Sequence, residues 1–409
     1  MDGAAGKPYL AVNGDVLATT STIPPRVRKP GDPLDLTPFK LPVEWPAMRT
    51  MPRLIYGTAW KKGETEELTY KAIRAGFRGV DTALQPQHYD ELAVGRGIQA
   101  TLEGGLHPEG GLWVQTKYSP PAGQGGQCPY DGTQNQRHQV QESAAISMVD
   151  LGMLDCLLLH SACPTLSQTM EAWMEMAGQI GHGVRSLGVC NFTFDQFASF
   201  YHECVNLNRL SFQRMRPAFA SPFNKTDIFS NNHQCTVPMV FQGPVAAVNG
   251  YATLLRAFCR KHGVIFQGYW VLSANTQLRK RGPVTTLADR AQVDPAVALY
   301  ALFLGSDPNM AILDGTKDEK HMEQDIKGLE KVAAWSVANL AEWDSLVERF
   351  EGRLAEHAGN EQGAERSWSV EIMESLLSRQ QSIPGTDMLD TRAWQDHLLA
   401  SWYGAPDNM

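Results

Sequence analysis

The apolar residues of this chain follow a repeating pattern that begins at Arg53. Short apolar or β-branched runs alternate with stretches whose apolar residues recur every three or four positions, which is typical of strands that alternate with helices. Such strands predict a parallel sheet covered on its outer face. The runs, in order, are RLIYGTAW, GVDTA, GLWVQTKY, LDCLLLH, VRSLGVCN, VPMVFQG, VIFQGYWVL and NMAILDG. Eight such units predict an eight-stranded parallel β/α (TIM) barrel, since a doubly wound sheet usually has about five or six strands.

The stretches between the runs have the spacing of helices that pack on one face. In TMEAWMEMAGQI, Met170, Trp173, Ala177 and Ile180 recur at three- and four-residue intervals. This spacing predicts one buried stripe along the helix. We interpret these helices as the outer layer of the barrel.

Three ranges divide the chain. Residues 1–50 are rich in proline and small polar residues, which predicts an extended N-terminal arm rather than a packed element. Residues 51–338 form the predicted barrel, in which we expect catalysis and cofactor binding. Residues 339–409 predict a C-terminal helical extension docked on the barrel, because they contain three amphipathic stretches, NLAEWDSLVERFEGRLAEH, WSVEIMESLLSRQQ and TRAWQDHLLASWYG.

One connection is too long for an ordinary barrel loop. The predicted helix FDQFASFYHECVN is followed, over residues of about 207–236, by a sequence without a periodic apolar pattern. We interpret this segment as an insert. The sequence leaves open whether it is a lid over the barrel mouth or a spacer without a role.

Charge and cysteine usage exclude several classes of protein. A net charge of −8 leaves no excess of Lys and Arg to neutralise phosphates, so we expect no nucleic acid partner. The seven cysteines contain no C-x-x-C pair and lack the short spacing of a secreted disulfide framework, which predicts reduced thiols in a cytoplasmic protein. No run approaches the ~18 apolar residues of a membrane helix, and the N-terminus lacks the pattern of a leader, so we expect no membrane association.

Polar side chains stand where the predicted strands end. Asp81, Lys117, His160 and Asn191 end the second to fifth strands, and Tyr89 follows in the second loop. Taken singly, each has an ordinary explanation as a cap, a solvated lysine or a core histidine. Because the carboxyl ends of barrel strands meet at one mouth, we expect the set to converge there. A tyrosine, with a pKa near 10, protonates a carbonyl at neutral pH only if a nearby cation eases the loss of its proton.

This combination resembles the aldo/keto reductase family. GFRGVDTA followed by YDELAVG is similar to the family's first signature, and WVQTKY and LDCLLLHSACP are similar to its lysine and histidine strands. GHGVRSLGVCNF resembles its fifth-strand motif, and ILDGTKDEKHMEQDI resembles its adenosine-phosphate segment. The five motifs occur in the family's order over residues of about 52–333.

The resemblance implies a catalytic role for each polar residue. Tyr89 would donate the proton, Lys117 and Asp81 would lower its pKa, and His160 would orient the carbonyl group. The implied reaction is the NADPH-dependent reduction of an aldehyde or ketone to an alcohol, or the reverse with NADP. The implied partner is therefore a small-molecule carbonyl or alcohol substrate, and we predict no metal ion.

The resemblance also implies a set of cofactor-binding residues. Asn191 and Gln242 would hold the nicotinamide carboxamide, and Tyr269 would stack on the nicotinamide ring. Ser273 and Asn275 would lie near the pyrophosphate. The adenosine-phosphate end would be bound by Gly315, Thr316, Lys317, Lys320, Glu323 and Gln324, where a helix N-terminus and two lysines favour the 2′-phosphate of NADPH.

The chain also departs from the family at three positions. Asp81 and Tyr89 are eight residues apart, a longer spacing than the family has, so His88 competes with Tyr89 as the proton donor. Cys190 stands where a serine is common, and Asp314 stands where many members have a lysine. The longer spacing, Cys190 and the large extensions favour an alternative in which the barrel binds nucleotide but acts as a regulatory subunit or catalyses a redox-neutral step.

Overall fold

The computed structural model describes residues 24–41, 50–215 and 236–358 and contains a closed barrel. Two short strands, β1 (Phe39–Lys40) and β2 (Thr50–Met51), precede it. The barrel strands are β3 (Leu54–Gly57), β4 (Gly79–Asp81), β5 (Trp113–Tyr118), β6 (Cys156–Leu159), β7 (Leu187–Cys190), β8 (Val240–Pro244), β9 (Ile265–Tyr269) and β10 (Met310–Asp314). Seven of the eight lie within the predicted runs, and β8 extends one residue beyond its run, to Pro244. The predicted barrel is therefore confirmed.

The strands pair in parallel and in chain order, and β10 closes the barrel against β3. The register pairs Asp81 with Gln115 and Lys117 with Leu158, which brings the carboxyl ends of β4, β5 and β6 together. The helices are α1 (Thr65–Ala75), α2 (Glu91–Glu103), α3 (Gln136–Leu151), α4 (Leu166–Ala177), α5 (Phe194–Met215), α6 (Thr253–His262), α7 (Thr276–Arg279), α8 (Pro283–Ala291), α9 (Pro295–Ser306), α10 (Glu319–Ala338) and α11 (Leu340–Ala358).

The main core lies between the strands and the surrounding helices. In α4, Met170 and Trp173 are buried, and Ala177 and Ile180 pack against the same core as partly buried residues. The predicted stripe is therefore confirmed, although Ile180 lies just beyond the end of the helix.

The amino ends of the strands are covered by an antiparallel pair of β1 and β2. Phe39 and Met51 are fully buried, and they share a core cluster with Trp113 and Ile265 at the starts of β5 and β9. This part of the N-terminal arm is thus a packed floor, which differs from the predicted extended arm. The reason is that the base of the barrel is apolar, and burial of isolated apolar residues of the proline-rich segment against it is favourable.

The segment after β7 also differs from its prediction. Helix α5 continues through residues 207–215, which we predicted to be part of the insert. The remainder of the insert up to residue 235 lies outside the described residues, so the lid and spacer interpretations both stay open.

The first predicted helix of the C-terminal extension is α11, which packs on the barrel helices. Trp343, Leu346 and Phe350 are fully buried. Gly305 of α9 allows this packing, since a Cβ there would lie 2.3 Å from the Trp343 ring. The other two predicted helices lie outside the described residues. Among the helices that the structure describes, none combines the length and the apolar composition needed to cross a bilayer.

Candidate active site

Asp81 and Lys117 form a buried ion pair at the mouth ends of β4 and β5. Lys117 Nζ lies 2.7 Å from Asp81 Oδ2 and 2.7 Å from the carbonyl oxygen of Thr82. Both side chains are almost completely excluded from solvent. Burial lowers the pKa of Lys117, but Asp81 and other neighbours outweigh it, so that pKa is raised and the ammonium stays charged.

Tyr89 lies next to this ammonium. Lys117 Nζ is 5.0 Å from the centroid of the Tyr89 ring. Burial raises the pKa of Tyr89 to about 12. Lys117 opposes that increase, whereas Asp81 adds to it, which differs from the expectation that both residues lower this pKa. The extra residues between Asp81 and Tyr89 are taken up by a tight turn, in which Gln85 O accepts from both His88 N and Tyr89 N. The longer spacing therefore still brings the tyrosine to the lysine.

His88 precedes Tyr89 in the same turn and has different contacts. Its ring lies against Trp60, with centroids 4.2 Å apart, and its Nδ1 is 2.7 Å from Gln85 Oε1. The backbone reinforces this position, because Trp60 N donates to His88 O. Of the two candidate donors, Tyr89 is the one whose ring contacts Lys117.

His160 faces Tyr89 across the mouth, with ring centroids 6.0 Å apart. Its Nδ1 is 2.5 Å from Ser119 Oγ, and its carbonyl oxygen accepts from Asn191 Nδ2 at 3.1 Å. Burial lowers the pKa of His160 well below its usual value, and Lys117 and His88 lower it further. The imidazole is therefore neutral at neutral pH.

Asn191 and Tyr269 lie together beside His160. Tyr269 donates its hydroxyl to Asn191 Oδ1 at 2.6 Å. Asn191 has a φ of 61°, and Trp60 and Trp270 have similar positive values at the ends of two other strands. A bulky residue in this left-handed region is strained, and such strain concentrates at functional sites.

The Gln242 side chain is buried and hydrogen-bonded to other buried residues of the barrel. Its Nε2 donates to Asp81 Oδ1 at 2.9 Å and to Gln267 Oε1 at 3.0 Å, and its Oε1 accepts from Cys190 Sγ at 3.3 Å. Burial raises the pKa of Cys190, so the thiol keeps the proton that it donates. Cys190 is therefore a hydrogen-bond donor to Gln242, and the predicted role of Gln242 in holding a carboxamide stays a prediction.

Ser273 and Asn275 occupy a short 3-10 helix after β9. Ser273 is exposed, whereas Asn275 is buried. Asn275 Nδ2 donates to Val245 O at 2.7 Å and to Val271 O at 3.0 Å. Asn275 therefore ties together the loops that follow β8 and β9, and its predicted position near a pyrophosphate is not tested by these contacts.

The predicted adenosine-phosphate end lies where β10 leads into α10. Gly315 and Lys320 are exposed and Thr316 is half-buried. The first amide groups of α10, at Lys320 and His321, are capped by the Asp318 carboxylate. Lys317 and Glu323 are engaged in surface ion pairs, with Glu64 and Lys327 respectively, and Gln324 is exposed.

Asp314 is buried against a second carboxyl group, Asp325. Burial and the neighbouring Asp314 raise the pKa of Asp325 to about 9, so Asp325 is protonated at neutral pH. Burial also raises the pKa of Asp314. The departure at Asp314 therefore adds less negative charge to the phosphate end than an exposed aspartate would.

The chain is similar to known aldo-keto reductases in sequence and in fold. An aldo-keto reductase of Mycolicibacterium paratuberculosis is 39% identical over 145 residues, which cover 34% of this chain and 44% of that protein. The chain thus spans less than half the length of this relative. An aldo/keto reductase structure from Brucella melitensis has a TM-score of 0.52 at 16% identity, over 74% of this chain and 100% of that one. The resemblance to the aldo/keto reductases is confirmed.

A second solved structure, an aldose reductase from Schistosoma japonicum, has a TM-score of 0.50 at 18% identity and covers 71% of this chain and 90% of its own. At such identities these two likenesses show the fold of an aldo/keto reductase. No protein-family model matches the chain.

Three polar residues contribute to this site although they were assigned no role from the sequence. Ser119 contacts His160, Gln115 donates to Asp81, and Lys61 donates from Nζ to the carbonyl oxygens of Gly315 and Thr316. The signal for the first two is strand alternation, since Gln115 and Lys117 share one face of β5 and Ser119, the residue after the strand, continues the same alternation. For Lys61 the only indication in the sequence is weaker, namely its position directly after the first predicted strand.

Proposed function

We propose that this chain is an NADPH-dependent aldo/keto reductase that reduces an aldehyde or ketone to an alcohol, or catalyses the reverse reaction. The observation that carries the proposal is the convergence of Tyr89, Lys117, Asp81 and His160 at one end of the barrel, with the lysine charged and the histidine neutral. This arrangement places an acid, Tyr89, next to a cation, Lys117, and adds a neutral hydrogen-bond donor, His160. Carbonyl reduction requires both functions.

The residues around the mouth fit a nicotinamide dinucleotide. Asn191 and Tyr269 supply amide and ring groups next to the catalytic set. At the other end, among the described residues, a Cβ added to Gly315 would have only Lys61 Nζ within 4 Å, at 3.9 Å, so space remains there beside a cation. Burial lowers the pKa of Lys61 to about 8, and Asp314 opposes this, so the lysine is still mainly protonated at neutral pH.

Each catalytic side chain has a distinct role in the proposed mechanism. The bound nicotinamide would supply the hydride. Tyr89 would donate its phenolic proton to the carbonyl oxygen, and the Lys117 ammonium would stabilise the phenolate that remains. Asp81 holds Lys117 in its charged form, and His160 would donate a hydrogen bond to the carbonyl oxygen and orient it.

The test is NADPH consumption with a panel of aldehydes and ketones, compared between wild type and Tyr89→Phe. The variant should lose about 10²–10⁴-fold in turnover, which is the usual contribution of a general acid, and should retain its affinity for NADPH. Tryptophan fluorescence measures that affinity, because the chain has ten tryptophans. Tyr70→Phe, on the surface helix α1, is the matched control and should have no effect.

Two outcomes would contradict the proposal. Full turnover by Tyr89→Phe together with loss of turnover in His88→Ala would assign the acid to His88. Binding of NADPH without turnover of any carbonyl compound would instead favour the redox-neutral or regulatory alternative.

A further inference from the structure

The imidazole of His160 makes a short contact with the side chain of Ser119. Oγ and Nδ1 are 2.5 Å apart, and Ser119 is 1% exposed. The sheet produces this contact, because β5 and β6 pair Tyr118 with Leu159 and His160 N donates to Tyr118 O at 2.9 Å. The two residues that follow are therefore neighbours at the barrel mouth.

The direction of this hydrogen bond follows from which groups have partners. A neutral imidazole carries its proton on one nitrogen only. If Nδ1 carried it and donated to Ser119, the Ser119 hydroxyl would need a different acceptor. The contact with Nδ1 is the only hydrogen bond of that hydroxyl within residues 24–41, 50–215 and 236–358. A buried donor without a partner costs about 1–3 kcal/mol, so the hydroxyl donates to Nδ1 and Nε2 carries the proton.

The charged form of the imidazole does not compete with this arrangement. Burial lowers the pKa of His160 well below its usual value, and Lys117 and His88 lower it further. At neutral pH the imidazole therefore adopts one of two neutral tautomers. The hydrogen bond from Ser119 favours the one with its proton on Nε2.

Both partners are held in place by their own backbone contacts. The carbonyl oxygen of Ser119 accepts from the Tyr130 hydroxyl and from Gln124 Nε2 at 3.0 Å. The carbonyl oxygen of His160 accepts from Asn191 Nδ2 at 3.1 Å. The serine hydroxyl and the imidazole thus face each other in a fixed geometry.

We propose that Ser119 is a positioning residue, whose hydroxyl donates to His160 Nδ1 and fixes the tautomer that presents Nε2–H to the substrate carbonyl oxygen. The mechanistic part of this inference rests on the proposed function. The tautomer itself does not, because it is a property of the protein without substrate.

The first experiment measures the tautomer directly in the full chain. Nitrogen-15 NMR of histidine-labelled protein distinguishes protonated from unprotonated ring nitrogens, and the loss of one signal pair in His160→Gln assigns His160. Wild type should have protonated Nε2 and unprotonated Nδ1. Ser119→Ala should give a mixture of both tautomers, and Ser119→Thr, which keeps a hydroxyl, should restore the single form.

Ser143→Ala is the matched control for removal of a buried hydroxyl. Ser143 is also 1% exposed, lies in α3, and its hydroxyl has no hydrogen-bond partner among the described residues. It should leave the His160 signals and the turnover unchanged. If Ser119→Ala is insoluble, Ser119→Cys replaces it, because a thiol is a weaker donor than a hydroxyl.

The second experiment measures kcat with NADPH and an aldehyde. Ser119→Ala should lower kcat about tenfold, the effect of one lost hydrogen bond, without weakening NADPH binding, and Ser119→Thr should recover most of it. A wild-type imidazole protonated on Nδ1, or an unchanged tautomer in Ser119→Ala, would overturn the inference. A wild type with the expected tautomer but no carbonyl reduction would instead overturn the proposed function and leave the tautomer assignment intact.

Discussion

Replacing Asp81 with asparagine should strongly destabilise the folded protein, because it leaves a buried cation without its counterion. In the wild type the Asp81 carboxylate accepts from Lys117 Nζ at 2.7 Å, from Gln115 Nε2 at 2.7 Å and from Gln242 Nε2 at 2.9 Å. The exposed fractions of the Lys117 and Asp81 side chains are 0% and 2%. In the variant, water therefore cannot stabilise the Lys117 ammonium in place of the lost carboxylate.

The distance sets the size of the effect. Two unit charges 2.7 Å apart attract by about 6 kcal/mol at an effective dielectric constant of about 20. Because desolvation offsets much of this, breaking one side of a buried pair typically costs about 3–5 kcal/mol. We expect Asp81→Asn to lower the free energy of unfolding by that amount at neutral pH. The double variant Asp81→Asn, Lys117→Met should lose less, since it contains no unpaired charge.

The loss should also depend on pH. In wild type the pKa of Lys117 is raised, so its contribution is fully present below the unfolded value near 10.4 and is constant across neutral pH. Without Asp81, burial lowers that pKa below the unfolded value. The unfolded variant then binds more protons than the folded variant, so the stability of the variant rises with pH. The difference between wild type and variant should therefore decrease from about pH 7 to about pH 9.

Urea unfolding followed by tryptophan fluorescence at several pH values measures both effects. The reasoning would be refuted if the double variant lost as much stability as Asp81→Asn alone. A loss in Asp81→Asn that stays constant from neutral to alkaline pH would refute it as well.

Two further predictions concern a buried glutamate and the phosphate end. Burial raises the pKa of Glu91 to about 7, although the hydrogen bonds that it accepts from Thr116 and Ser147 lower it. The folded state therefore binds a proton at Glu91 more tightly than the unfolded chain does. As pH rises from about 5 to 8, the free energy of unfolding of the wild type should fall by about 2–3 kcal/mol relative to that of Glu91→Gln. A difference in urea midpoint between wild type and Glu91→Gln that is the same at both pH values would contradict this. Lys320→Ala should weaken NADPH binding about tenfold and leave NADH binding unchanged in fluorescence titrations, whereas an equal loss for both would indicate a folding defect.

The barrel could be predicted from the sequence because its signal is local and repeated. Each strand is a short apolar run between helical segments, and each run is informative without its neighbours. The same holds for Asp81, Lys117 and His160, which end such runs, so the topology alone brings them together.

The floor and the interior network could not be predicted in this way. Phe39 and Met51 belong to strands of two residues, too short to have a periodicity. Their burial depends on the apolar surface at the base of the barrel. Gln115 and Gln267 are polar residues inside apolar strands, and they are tolerated because each satisfies the other, with amide nitrogen and oxygen 2.8 Å apart in both directions.

The spacing between Asp81 and Tyr89 required the structure for a different reason. The sequence shows that residues are added there but not how they fold. The turn closed at Gln85 absorbs them and gives the two residues different partners, Lys117 for Tyr89 and Gln85 and Trp60 for His88. The conformation of a turn depends on contacts with distant residues such as Trp60, and those contacts are not local in the chain.

The floor formed by Phe39 and Met51 has a consequence for hydration of the barrel interior. Gln267 Nε2 lies 3.1 Å from Met51 Sδ, so the amide network rests directly on an apolar base. Among the residues that the structure describes, this base is apolar, so we expect water and hydrogen ions to reach Lys117 from the mouth side. A dinucleotide bound across the mouth would close that route. The rate at which the amide and ammonium protons of the interior exchange with bulk water would then be set by how long the ligand stays bound, and not by the intrinsic exchange rates of these groups.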